Sequence, residues 1–340
     1  MAIDEQFVRV LVEAPDPLGV IWREMERVCA VDAFPANLRG HYDECERGLN
    51  ELERALYESY FDVYDELLER ARAQDGKYVL SLFDSAPFVV VADSLSVREI
   101  GLLQAKWAAL EWSVERVGFA VAPFPPVTAS LCRMILGTDA PASARDTSAF
   151  RFRYVAGPQQ IPPLPKNERL LVWLRLPDTA LEEVTVAQTH TVAEAFEKTV
   201  ETLERVLDAS GRREAFITSD HGYVYAREAY HFIPMMRGVE GAAREVFSRG
   251  SRVQAATPEN AQKLKDYEPR EKEMRHFVFT NQHVAIRGRY WWGSPNPNDR
   301  CTAHGGLSFV ECLVPILKVK TSPAGDESPA SSRAKPDESG

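Results

Sequence analysis

The stretch Ala215-Phe-Ile-Thr-Ser-Asp-His-Gly-Tyr223, AFITSDHGY, brings a short apolar run to a halt on an acid, an imidazole and a glycine. A run of this length, bounded by polar and glycine residues, reads as a buried strand. Two other segments share the pattern: FVVVAD closes on Asp93 and LLVWLRLPD closes on Asp178. Strand-length runs at 88–92, 170–176 and 215–218 alternate with helical patterns at 97–112 and 192–207. That alternation predicts an α/β fold, a sheet flanked by helices. Ligands of open α/β sheets bind beyond the carboxyl ends of the strands, so Asp93, Asp178 and Asp220 are expected at one edge. Three carboxylates gathered there repel one another and resist desolvation unless a cation sits between them, which predicts a metal site. Aspartate is also a good helix N-cap, and that reading stays open for each acid taken alone.

The residues beside Asp220 favour the metal. His221 adds a nitrogen ligand to the carboxylate oxygen, and Gly222 keeps the next position small. A second histidine, His304 in CTAHGGLSFVECLVPILKV, precedes two glycines that let the backbone turn tightly near a ligand. A surface histidine in a glycine turn would look the same.

Composition limits what such a site can serve. The 340 residues are 45% hydrophobic, enough for one large domain or two modest ones. The formal net charge of −10 provides no bulk positive field for polyanions, so a phosphate-bearing substrate needs local cations, either Arg/Lys or metal. No run approaches the roughly 18–20 apolar residues of a membrane span, and the N-terminus lacks a signal-peptide pattern, so a cytoplasmic protein with no membrane partner is expected. Cys29, Cys45, Cys132, Cys301 and Cys312 show no CxxC spacing and are expected to be reduced.

Residues 1–80 read as a helical N-terminal segment, with one long amphipathic helix over 41–75. Residues 81–320 read as the α/β domain, with a cap or insertion at about 225–300, and 321–340 as a disordered tail rich in Pro, Ser, Asp and Glu. Within the cap, RHFVFTNQHVAIRGRYWW reads as a strand pair with a polar turn.

ITSDHGY followed by HGGLSFVECLVPI resembles the PglZ domain, a branch of the alkaline phosphatase superfamily found in BREX phage-defence systems and some signalling proteins. The resemblance spans residues 85–319. It implies an alkaline-phosphatase-like sheet in which Asp93 of VVVADSLSVRE is the opening acid, Thr128 of FPPVTASLCRMILG the nucleophile, Asp220 and His221 the late pair, and His304 the closing ligand. The superfamily spacing Asp-x-x-x-His finds Glu182 after Asp178, which makes Glu182 the expected ligand ahead of the more distant His190. Two divalent ions, zinc or manganese with magnesium also admitted, are then expected: one on Asp93, Thr128, Asp220 and His221, the other on Asp178, Glu182 and His304. Such a pair serves in-line displacement at phosphorus. Thr128 would also suit a helix N-cap.

The resemblance implies a metal-dependent phosphoester hydrolase. Arg287 and Arg289, with Arg275, Tyr290, Trp291 and Trp292 nearby, are candidate contacts for phosphates and bases, which leans toward nucleotide or oligonucleotide diesters and a nuclease or phosphodiesterase role. The same cluster also reads as a hairpin with its aromatics in the core. The other class is a non-catalytic PglZ-like module that joins the proteins of a defence complex.

Overall fold

The computed structural model describes residues 5–110, 112–185, 187, 190–226, 237–247, 251–267, 275–290 and 300–321. The chain begins with helices α1 (Glu5–Glu13), α2 (Pro17–Val28), α3 (Leu38–Ser59), α4 (Val63–Arg72) and α5 (Lys77–Leu80). The single helix expected over 41–75 is thus divided between α3 and α4. Tyr60 leaves the helical region at φ −144° and ψ 59°. The corner lets three rings meet, with Tyr57–Phe61 centroids 5.2 Å apart and Phe61–Tyr64 centroids 5.6 Å apart. Amphipathic spacing continues across such a corner because both helices bury the same side.

Strand β1 (Phe88–Ala92) is buried along its whole length. It leads to α6 (Val97–Ala108), opened by a reciprocal Ser96–Glu99 capping box. Then come β2 (Ser113–Val121), α7 (Thr128–Leu136), β3 (Arg151–Val155), β4 (Leu170–Leu174), α8 (Asp178–Leu181), α9 (Val192–Ser210) and β5 (Glu214–Thr218). The remainder contains β6 (Val224–Tyr225), α10 (Arg237–Val246), β7 (Val253–Ala255), α11 (Pro258–Tyr267), β8 (Phe277–Phe279), β9 (His283–Ile286), β10 (Thr302–Ala303), α12 (Phe309–Cys312) and β11 (Leu313–Lys320).

The protein is a mixed α/β structure around a mostly parallel sheet of strand order β2-β11-β5-β1-β4-β3. β1 pairs in parallel with β4 and β5, and β4 with β3, while β11 runs antiparallel to both β5 and β2. Val91 aligns with both Trp173 and Thr218, so the carboxyl ends of β1, β4 and β5 lie level. The backbone carries this alignment past the strands: Asp93 N–H donates to the Leu174 carbonyl at 3.1 Å and Asp178 N–H to the Asp93 carbonyl at 3.0 Å. Strands β8 and β9 are the expected antiparallel pair, joined by β7 into a small second sheet. Trp291, Trp292 and residues 322–340 lie outside the described residues. All five cysteines are buried and none forms a disulfide among the described residues. No helix among the described residues is long and apolar enough to cross a membrane.

Buried charges join the N-terminal helices to the sheet domain. Glu46 of α3 pairs with Arg98 of α6 and with Arg289, and Arg252 pairs with Glu311 at 3.0 Å, all out of contact with water. Near them, Glu53 accepts from the Tyr64 hydroxyl at 3.0 Å through Oε1, while Oε2 has no hydrogen-bond partner among the described residues. Burial pushes the Glu53 carboxyl up to about 7, opposed by Arg289 and the Tyr64 hydroxyl, aided by Glu311 and opposed by Arg252. The folded protein therefore holds a proton that the unfolded chain has released, and stability falls as pH rises from about 4.5 to about 7. Glu53→Gln abolishes that dependence. In urea unfolding it should gain roughly 2–3 kcal/mol on the wild type between pH 4 and pH 8. An equal offset at both pH values would show that Glu53 stays ionised in the fold.

Candidate metal centre

The turn after β1 carries the first parts of the site. Asp93 does not cap a helix, because Ser96 caps α6. Nor does Thr128: it is the first residue of α7, whose N-cap position is Val127, with no side-chain cap bond. The Thr128 hydroxyl instead donates to Asp93, 3.1 Å from Oδ1 and 3.2 Å from Oδ2, and lies 3.3 Å from His221 Nε2. Asp220 and His221 follow β5 directly and are fully buried. Gly222 is required there, since a Cβ would meet the Val310 carbonyl oxygen at 2.1 Å.

Two groups of ligand atoms converge, each within 4.8 Å of one another: Asp93, Asp220 and His221, and Asp178, His221 and His304. The imidazoles of His221 and His304 stack with centroids 4.2 Å apart, joining the groups. His221 Nδ1 stands 3.0 Å from the Gly222 carbonyl, an acceptor only, so the neutral ring carries its proton on Nδ1. Nε2 then turns a lone pair toward Asp93 Oδ1 at 3.4 Å and Asp220 Oδ2 at 3.5 Å. Acceptors facing acceptors call for a cation. Asp220 Oδ2 and His304 Nδ1 are buried without a hydrogen-bond partner among the described residues, and the mixed oxygen and nitrogen donor set suits zinc or manganese.

The local fields agree with that fit. Burial, then the charges of Asp220 and Asp178, raise the Asp93 carboxyl well above the usual carboxylate range. Asp178 is also penalised by burial, but the imidazoles of His304 and His221, the Ser94 hydroxyl and Arg300 outweigh it and leave its carboxyl below the usual value. Burial and the neighbouring His221 depress His304 against the pull of Asp178, Glu311 and Asp220.

Ser94 stands between the two groups, and sequence reading misses it. It is a non-glycine residue at φ 68°, a costly conformation that places one small side chain between the groups. Its hydroxyl donates to Asp178 Oδ1 at 2.8 Å and lies 3.1 Å from His221 Nδ1, while its N–H donates to Asp220 Oδ1 at 3.2 Å.

Three expected contacts fall elsewhere. Glu182 does lie one helical turn after Asp178, its N–H donating to the Asp178 carbonyl at 3.0 Å, but its carboxylate pairs with Arg300 at 3.2 Å and belongs to neither convergent group. Arg289 is a core residue, its side chain 1% exposed and paired with Glu46, which corrects its reading as a substrate contact. Arg287 likewise turns toward the N-terminal helices, with its guanidinium 4.8 Å from the Phe61 ring centre and 3.6 Å from Asp65. The alternative ligand His190 is exposed and outside both groups.

Neither a family model nor a curated protein matches the chain. Solved structures do show similarity. Human ectonucleotide pyrophosphatase/phosphodiesterase 5 matches over 44% of this chain and 47% of its own, at 9% identity and a TM-score of 0.27. The murine protein of the same name covers the same shares at 12% identity and a TM-score of 0.25. Phosphonoacetate hydrolase from Sinorhizobium meliloti 1021, in complex with phosphonoacetate, is similar over 74% of this chain and 70% of its own, at 11% identity and a TM-score of 0.26. The chain spans about half the length of the first two proteins.

Proposed function

We propose that the protein is a metal-dependent phosphoester hydrolase of PglZ type, acting on nucleotide or oligonucleotide phosphoesters and serving a phage-defence system of the BREX kind. One observation carries the hydrolase reading: the Thr128 hydroxyl stands 3.1 Å from Asp93 and 3.3 Å from His221 Nε2, beside convergent carboxylate and imidazole groups of which Asp220 Oδ2 and His304 Nδ1 have no hydrogen-bond partner among the described residues. The PglZ assignment is supported by the order of Asp93, Thr128, Asp220-His221 and His304 along the chain.

Asp93, Asp220 and His221 would hold one ion, and Asp178 and His304 the other, with His221 between them. Two divalent ions supply positive charge for the phosphoryl oxygens and for the oxygens entering and leaving. The protein orients the rest. Thr128 keeps its proton on the hydrogen bond to Asp93, so the lone pairs of Oγ1 are free to face phosphorus. The N-terminus of α7 favours the negative charge of a bound phosphoryl group. Attack forms the Thr128 Oγ1–P bond as the bond to the leaving oxygen breaks, and the hydroxyl proton passes along the hydrogen bond to Asp93. Water then displaces Thr128 from phosphorus and restores the hydroxyl.

Asp220→Ala and His221→Ala each remove a buried ligand that no neighbour replaces. Each should lower bound divalent metal after reconstitution with zinc or manganese, and should abolish hydrolysis of an aryl phosphodiester. Wild-type levels of both metal and turnover in the two variants would overturn the metal site. Wild-type protein that binds no metal would leave the interaction module as the better reading.

A further inference from the structure

Resting on the hydrolase reading, we propose that Arg300, held by Glu182, is a subsite for a phosphate on the leaving group of the substrate. The observations begin with place. Arg300 lies on a small cleft that Asp178, Glu182, Tyr223, Thr302 and His304 also line. Thr128 is not among the lining residues, for its hydroxyl meets the other ligand group, at Asp93 and His221. An in-line displacement expels the group opposite the attacking oxygen. With Thr128 on the Asp93 side, the leaving group projects toward Asp178, His304 and this cleft.

Arg300 is also held in place. Its segment bridges Thr185, Cys301 N–H donates to the Val184 carbonyl at 3.0 Å, and the Thr302 hydroxyl donates to the Leu181 carbonyl at 2.6 Å. These bonds tie Arg300 to the turn that carries Asp178 and Glu182. The Arg300 and Glu182 side chains are 36% and 40% exposed, so their ion pair is weak enough for a phosphate to share the guanidinium. Glu182 meets one nitrogen, Nη2, and the other N–H donors have no acceptor among the described residues. A planar fork of this kind suits phosphate, which accepts two parallel hydrogen bonds. The proton and electron balance is that of the hydrolase step: the Thr128 proton passes to Asp93, and the broken bond's electron pair departs on the leaving oxygen. Arg300 neutralises charge that is already on the leaving group.

The test compares two substrates with the same nucleoside and reacting phosphorus. Thymidine 5′-triphosphate expels pyrophosphate, and the 4-nitrophenyl ester of thymidine 5′-phosphate expels 4-nitrophenolate, which bears no phosphate. Arg300→Ala in the ion-loaded protein should lower kcat/KM for the triphosphate by about tenfold or more beyond any loss on the aryl ester, and Arg300→Lys should recover part of it. Equal losses on both substrates, or none, overturn the subsite. Calorimetric binding of pyrophosphate to the same ion-loaded proteins gives a readout that needs no turnover: about tenfold weaker binding by Arg300→Ala is expected, and unchanged binding overturns the proposal. A wild type that hydrolyses neither substrate refutes the hydrolase reading, and the pyrophosphate comparison still decides the subsite. Glu182→Gln should keep the wild-type metal content while weakening pyrophosphate binding a few-fold. Loss of one ion in that variant would make Glu182 a metal ligand and end its role as the holder of Arg300.

Discussion

Thr128→Ala is expected to lower turnover of an aryl phosphodiester by on the order of 10⁴-fold or more while keeping the fold and the bound metal. The separation follows from what the hydroxyl does and does not do. It caps no helix, since the N-cap of α7 is Val127 and makes no side-chain cap bond, so its loss leaves α7 intact. The ligand atoms of Asp93, Asp220 and His221 converge without it. The hydroxyl's contacts are with Asp93 and His221, and the proposed reaction loses its attacking oxygen when it goes. Thr128→Ser should keep part of the rate because the oxygen remains on a less restricted side chain. Steady-state kinetics beside metal analysis and circular dichroism checks all three statements. Normal turnover by Thr128→Ala would transfer the attack to water, to Ser130 or to Ser94, whose hydroxyl already sits between the ligand groups.

How much of this could be read in advance depended on where each residue lies in the sheet. Strands β1, β4 and β5 are central and buried on both faces, so they appear as continuous apolar runs, and their terminal acids marked the site edge. The outermost strands β2 and β3 carry arginine and glutamate along partly exposed faces, which hides them from a search for apolar runs. β11 is central but contains Pro315, a residue that argues against a central strand; its register shifts just beyond, between Ile316 and Leu317. The convergence of Asp93, Asp220, His221 and His304 was legible because each sits beside a strand end or a glycine turn. Ser94 was not, because only its positive φ and its hydrogen bonds reveal its task. The arginines were misread for a related reason. A cationic cluster in sequence does not distinguish a guanidinium facing a ligand from one buried against a carboxylate far away in the chain, such as Arg289 against Glu46. Arg300 shows the reverse case, as its pairing with Glu182 exists only after the β10 segment is laid beside α8.

Glu46→Gln is expected to destabilise the protein by about 3–5 kcal/mol, more than any other single change in the buried charge network. Glu46 is the carboxylate shared by Arg98 and Arg289, and all three side chains are out of solvent. Removing that charge leaves two guanidinium groups buried against a neutral amide, and the guanidinium does not relieve the cost by losing its proton. The other hydrogen bonds and ring contact of Arg98 are to the neutral Ser96 hydroxyl at 3.1 Å, the Tyr223 carbonyl at 3.2 Å and the Tyr223 ring at 4.5 Å, and the neighbouring carboxylate of Glu99 is already engaged by Tyr42, Ser96 and Tyr223. A loss below about 1 kcal/mol in urea unfolding would show that water reaches the arginines and screens them as it does surface pairs. The same links join stability to the site. Ser96 lies on the turn that follows Asp93 and Ser94, and Tyr223 lies two residues past His221, so Arg98 braces both ligand-bearing segments from below. Tyr223 and Tyr42 reinforce the brace by donating to Glu99 at 2.8 Å and 3.1 Å, which brings α3 into the same support. Glu46→Gln should therefore loosen the bound metal before the sheet melts. The order to measure, in protein reconstituted with zinc or manganese, is metal release at a lower urea concentration than the loss of helical signal, whereas the wild type is expected to release metal and unfold together.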